Sequence, residues 1–122
     1  MIERIDGAPD GVTALRADGE VSADDYRQVL EPALREAAES GSIRLLYVLG
    51  PDFAMQPAAM AQDAKVGLEF GIGHHSAWER TAIVTDSEWV ARSIAAFAWM
   101  VPGEIHVFKL GEEDAARTWV AA

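Results

Sequence analysis

His74 and His75 stand side by side, with Glu79 four residues on and Asp63 upstream. Imidazole and carboxylate are the ligands a divalent metal would choose. Adjacent histidines on a strand point to opposite faces, however, and the helical H-E-x-x-H spacing is absent. Three uses compete for the pair: a metal site, a solvated loop that gates a ligand, and ordinary surface or capping histidines. The last is the expectation, with no metal. Ser76 follows His75, but sequence neighbours do not easily make the nucleophile–base hydrogen bond of hydrolytic catalysis, and no G-x-S-x-G elbow exists. Gly71-Ile72-Gly73 follows a helical stretch rather than a strand, so it reads as a helix terminator and not as a phosphate-binding loop. Tyr26 and Tyr47 fall on core positions. The expectation is a protein without catalytic residues or cofactor, and not an enzyme.

These residues must be held by alternating strand-like and helix-like blocks. Residues 1–5 and 11–21 read as two extended segments around the turn residues 6–10. Ser22 caps a helix whose Tyr26, Val29, Leu30, Ala33, Leu34 and Ala37 recur at helical spacing. Pro32 lies inside that helix, where it removes a hydrogen bond and costs about 3 kcal/mol if unrelieved. Residues 43–49 (IRLLYVL) form an apolar run typical of a strand covered on both faces. A second helix is predicted from Pro57 to about Phe70, a strand over 80–85, a third helix over 87–100, a strand over 104–110 and a final helix from 111. Strand–helix–strand crossovers require a largely parallel sheet. The prediction is a single α/β domain over residues 1–122, a five-stranded mixed sheet with four helices.

Composition narrows the function classes. The chain has 10 basic and 20 acidic residues, a net charge of −10, and no cysteine. Nucleic acid is excluded as a partner for want of a cationic face, and thiolate metal sites and disulfides for want of sulfur ligands. The opening residues lack the order of a signal peptide, and the longest uncharged stretch, 93–103, is too short for a membrane span. A cytoplasmic protein is expected. The charge is uneven: residues 1–52 carry a net −6, whereas residues 53–111 carry only −2.

That nearly neutral middle also holds more apolar residues than one core-facing stripe needs. In the second helix Met60, Ala64 and Leu68 form one stripe, with Ala59, Val66 and Phe70 well round the cylinder. In the third, Val90, Ile94, Phe97 and Val101 form the core stripe, and Trp89, Ala96 and Met100 a second one. Such helices are covered by neighbours or a second subunit, or they flank a cleft for an apolar ligand. Burying Phe70, Trp89 and Met100 on a ligand would contribute about 1.5–3 kcal/mol each. The glycines at 50, 67, 71 and 73 would let the second helix move as a lid. Phe53 and Met55 form an apolar loop tip suited to peripheral membrane contact.

The order of blocks resembles the SpoIIAA-like family, which is STAS-related and similar in fold to the CRAL-TRIO lipid-transfer domain. The residues that carry the resemblance are 26–34 (YRQVLEPAL), Asp63-Ala64-Lys65, 79–86 (ERTAIVTD) followed by Trp89, and 104–108 (EIHVF) with Ala115, Ala116 and Trp119. It spans nearly the whole chain. The resemblance implies a STAS-like sheet, no enzymatic activity and a nonpolar-ligand or membrane-associated role. Anti-sigma factor antagonists of this kind carry a phosphorylatable Ser or Thr after the central strand, yet residues 50–75 contain neither. Partner switching by phosphorylation is therefore not expected.

The leading expectation is a non-enzymatic module binding a nonpolar or lipid-like molecule between the second and third helices. Met60, Ala64, Leu68, Phe70, Trp89 and Met100 would line the cleft. Lys65, His74, His75 and Arg80 would hold a polar head group. A regulatory protein-interaction module, or a ligand-free homodimer, is the competing class.

Overall fold

The computed structural model describes residues 1–73, 77–98 and 103–122, the side chains at 57, 67–73 and 97 excepted. The turn residues at 6–11 fold the chain back on itself, so β1 (Ile2–Arg4) and β2 (Thr13–Ala17) pair antiparallel. A second turn at Asp18-Gly19 ends β2 and releases a two-residue strand, β3 (Glu20–Val21). The single extended segment predicted over 11–21 is thus two strands, because Gly19 takes a positive φ of 61° there.

Helix α1 follows in three parts, Ala23–Asp25, a π turn Tyr26–Leu30, and Glu31–Glu39. Its start is a capping box. The Asp25 amide donates to Ser22 Oγ at 3.2 Å, and the Ser22 amide donates to Asp25 Oδ2 at 2.8 Å. These bonds, the backbone one foremost, hold the Asp25 carboxyl below its ordinary pKa. Ser22→Ala is expected to cost about 1 kcal/mol; urea denaturation showing no loss would contradict this role. Pro32 does not break the helix. The wider turn just before it, in which the Glu31 amide donates to the Tyr26 carbonyl five residues back, places the proline in the first turn of a fresh α-helical segment.

Strand β4 (Ile43–Leu49) occupies the sheet centre, buried along almost its whole length. It leads through β5 (Ala54–Met55), which pairs parallel with β3, into α2 (Pro57–Gly73). The glycines at 71 and 73 therefore lie within α2 rather than ending it at Phe70. Strand β6 (Trp78–Val84), α3 (Glu88–Phe97), β7 (Glu104–Phe108), a 3₁₀ turn (Leu110–Glu112) and α4 (Glu113–Ala121) complete the chain.

The five-stranded sheet runs β1-β2-β4-β6-β7, parallel except for β1. Each parallel crossover advances one strand in the same direction. Right-handed crossovers of that kind place all three connecting helices on one face. The core divides accordingly. Leu15, Ala17, Ile43, Leu45, Tyr47, Leu49 and Ile83 point toward α1, α2 and α3, while Ala14, Leu46, Val48, Ala82 and Val84 point toward Ala116 and Val120 of α4. The two-residue side-chain period of the strands produces this division.

Candidate functional site

Three helices over one sheet face leave a gap near α3, and it forms a cavity of about 320 Å³. Its floor is Tyr47 and Leu49 of β4, Ile83 of β6 and Ile105 of β7. Its walls are Tyr26 of α1, Phe53 and Met55 around β5, Met60 and Asp63 of α2, and Trp89, Val90, Ser93 and Ile94 of α3. The space equals roughly ten waters at ~30 Å³ each, the lower end of the small-molecule range.

The helical faces that build it differ from those predicted. On α2, Ala59 and Val66 are the buried residues among the described side chains, whereas Met60 is 47% exposed and Ala64 is exposed. Ala59, Asp63 and Val66 recur at i, i+4 and i+7, so the buried Ala59 and Val66 share a face with an exposed acid whose carboxyl reaches the Tyr26 hydroxyl. Hydropathy counting favours the Met60, Ala64 and Leu68 stripe because it penalises Asp63, yet a phenol inside the protein offers that acid a partner. On α3, Val90 and Ile94 pack against the core as predicted. Trp89, 63% exposed, stands with Met60 on the rim of the cavity.

The polar groups gather at one place. Tyr26 and Tyr47 are buried, and the Tyr26 hydroxyl donates to Asp63 Oδ1 at 2.9 Å. The Tyr47 hydroxyl is buried beside that of Tyr26, without a hydrogen bond of good geometry among the described residues. Burial raises both phenol pKa values, so both keep their protons at neutral pH. Loss of hydration beside these rings also raises the Asp63 carboxyl, against the lowering effect of the Tyr26 hydrogen bond. As a whole residue Asp63 is nonetheless exposed, and it is the one acidic side chain among the described lining residues. Ser93 donates to the Trp89 carbonyl at 2.9 Å.

The structure places the other sequence-predicted residues as follows. Phe53 and Met55 are half-buried in the cavity wall and packed against the core, rather than projecting as a tip. The short β3–β5 pairing draws that segment inward. Lys65 and Ala64 are exposed and outside the lining. Arg80 is on the opposite sheet face from the cavity: it donates to the Trp119 carbonyl at 2.7 Å, pairs with Glu104 at 3.3 Å, and lies 5.0 Å from the centre of the Trp119 ring. Strand alternation forbids its role as a head-group contact, since Ile83, at the other parity of β6, is the residue that faces the cavity. Met100, His74, His75 and the side chains of Leu68 and Phe70 lie outside the described residues. Among the described residues no cluster of three or more His, Asp or Glu is arranged to hold a metal.

Sequence reasoning set Tyr26 and Tyr47 aside as core. A signal was available: a phenol in an apolar stripe needs a partner for its hydroxyl, and Asp63 is the lone charge between Phe53 and Ala64. No helix among the described residues is long and apolar enough to cross a membrane.

Comparison with known proteins agrees with this architecture. Among curated proteins none matches. A crystal structure of a protein of the DUF3478 family with a SpoIIAA-like fold, from Shewanella loihica PV-4, is similar to this chain at 27% identity and a TM-score of 0.70, covering 98% of this chain and 93% of that one. That fold supports a regulatory or interaction module. The SpoIIAA-like family model matches residues 12–121, nearly the whole described sheet and all four helices, and the chain belongs to the SpoIIAA-like family.

Proposed function

We propose that the protein is a non-enzymatic binding module that holds a small nonpolar or lipid-like molecule in the cavity between α2 and α3. The observation that carries this reading is the 320 Å³ cavity itself, walled mainly by apolar side chains and open at a rim that exposes Trp89 and Met60. Apolar surface buried on such walls stabilises a complex by about 25 cal/mol per Å² before ordering costs. The described lining holds no histidine, lysine or arginine, and the Ser93 hydroxyl is engaged by a backbone carbonyl, which suits a binding role. The exposed rim also suits docking against a membrane surface or a partner protein, with the ligand as a condition for that contact.

Filling the cavity tests the reading. Ser93→Phe places a ring in the space and is expected to weaken binding of an anilinonaphthalene dye at least about tenfold, or ~1.4 kcal/mol, with an unchanged circular-dichroism spectrum. A folded variant that binds the dye as tightly as the parent protein would overturn the proposal. Native mass spectrometry of the purified protein provides a second measurement, a co-purified apolar mass being the expected result.

A further inference from the structure

The binding reading above, on which this inference rests, leaves the head group of the ligand open. The cavity wall narrows it, because it combines aromatic rings with a single carboxyl group. Tyr26, Tyr47, Phe53 and Trp89 line the space together with Asp63, and no described lining residue is a histidine, lysine or arginine. The hydroxyls there offer a guest no proton. That of Tyr26 is committed to Asp63 Oδ1 at 2.9 Å, and the Tyr47 oxygen beside it has no accessible surface. Ser93 commits its own to the Trp89 carbonyl at 2.9 Å. What remains for a guest is the Asp63 carboxylate, which only accepts. Asp63 is exposed as a residue, and Tyr26 is its one hydrogen-bond partner among the described residues. Loss of hydration raises its carboxyl, so a positive charge brought beside it replaces solvation that the protein withholds.

We infer that the cavity selects a cationic amphiphile, an alkylammonium whose chain lies on the apolar walls and whose head meets Asp63. An ammonium group donates charge-assisted hydrogen bonds to the carboxylate. Aromatic rings around it add their own attraction for a cation, which is larger where water is excluded. The net charge of −10 on the chain favours the approach of such a ligand. A fatty carboxylate instead brings a second negative charge beside Asp63, with no cation in the described lining to offset it. An alcohol donates one neutral hydrogen bond and gains nothing from the rings. The carboxylate and the aromatic wall therefore favour the same head group, by two different interactions.

The test titrates octylammonium, octan-1-ol and octanoate into the intact chain by calorimetry, at a mildly alkaline pH that keeps Asp63 ionised. Octylammonium is expected to bind about tenfold or more tightly than octanoate, and more tightly than octan-1-ol. Asp63→Asn keeps an oxygen for the Tyr26 hydroxyl and is expected to bring octylammonium to within a few-fold of octan-1-ol. Trp89→Leu changes an exposed rim residue, so it stays folded, and it is expected to weaken octylammonium severalfold more than octan-1-ol. Ser93→Phe is expected to weaken octylammonium as well, which separates the cavity from attraction to the acidic surface at large. Octanoate binding as tightly as octylammonium would overturn the inference while leaving the binding module standing. So would an Asp63→Asn protein that keeps the full preference for octylammonium, or a Ser93→Phe protein that binds it as the parent does. Failure of all three probes to bind would overturn both.

Discussion

Gly103→Ala is expected to lower stability by about 2–4 kcal/mol, the combined cost of left-handed backbone and a steric clash. Gly103 has φ of 75°, and a Cβ built there meets the Glu79 carbonyl oxygen at 2.7 Å and that of Trp78 at 2.9 Å. Those are backbone atoms of β6, a strand paired on both sides, so the obstacle cannot rotate away as a side chain would. Gly7 and Gly41 have similar φ values but nothing within 4 Å of such a Cβ. Their alanine variants carry only the conformational cost, about 1–2 kcal/mol. The comparison is therefore internal: guanidinium denaturation of the three variants should single out Gly103, and equal losses would disprove the packing argument. The effect reaches the cavity as well. Gly103 delivers the chain to β7, whose Ile105 forms part of the floor.

Tyr26→Ala is expected to cost about 3–5 kcal/mol, the range for truncating a buried aromatic ring. Tyr26 is 2% exposed and belongs to the main core cluster. It begins the π turn that accommodates Pro32, and its hydroxyl is the side-chain donor that holds Asp63. Removing the ring empties the contact between α1 and α2 and leaves the carboxylate without its partner. Tyr26→Phe separates the two contributions, because it keeps the packing and deletes the hydrogen bond, for which about 1 kcal/mol is expected. Thermal unfolding of the two variants should differ accordingly. A Tyr26→Phe protein as unstable as Tyr26→Ala would mean that the hydrogen bond, and not the ring, dominates at this position.

The same residues show which features were readable in advance. Residues 43–49 declare the central strand because an apolar run of that length, bounded by Gly41 and Gly50, has few other uses. Ser22 and Ser87 announce helix starts through local chemistry, and both caps are present. The apolar excess of the 53–97 region was legible too, and it supplies Met60, Trp89, Val90 and Ile94 of the cavity wall, whereas Tyr26, Tyr47, Leu49 and Ile105 come from outside it. The polar corner of the cavity was not legible. Tyr26, Tyr47 and Asp63 come from three separate elements, and each alone has an ordinary explanation. Arg80 was misassigned because the parity of β6 relative to the two cores depends on its register with β4. One residue of slip would reverse every side chain on that strand.

By itself, then, the sequence determined the class of fold and the stretch of chain from which an apolar site would be built, because periodicity, caps and turns act over a few residues. Only the tertiary structure decided which face of α2 turns inward, that Pro32 is absorbed by a π turn, and that two phenols and one carboxylate meet at a single corner. The first and last of these depend on contacts such as that between Tyr26 and Asp63, 37 positions apart, and no local pattern encodes such distances.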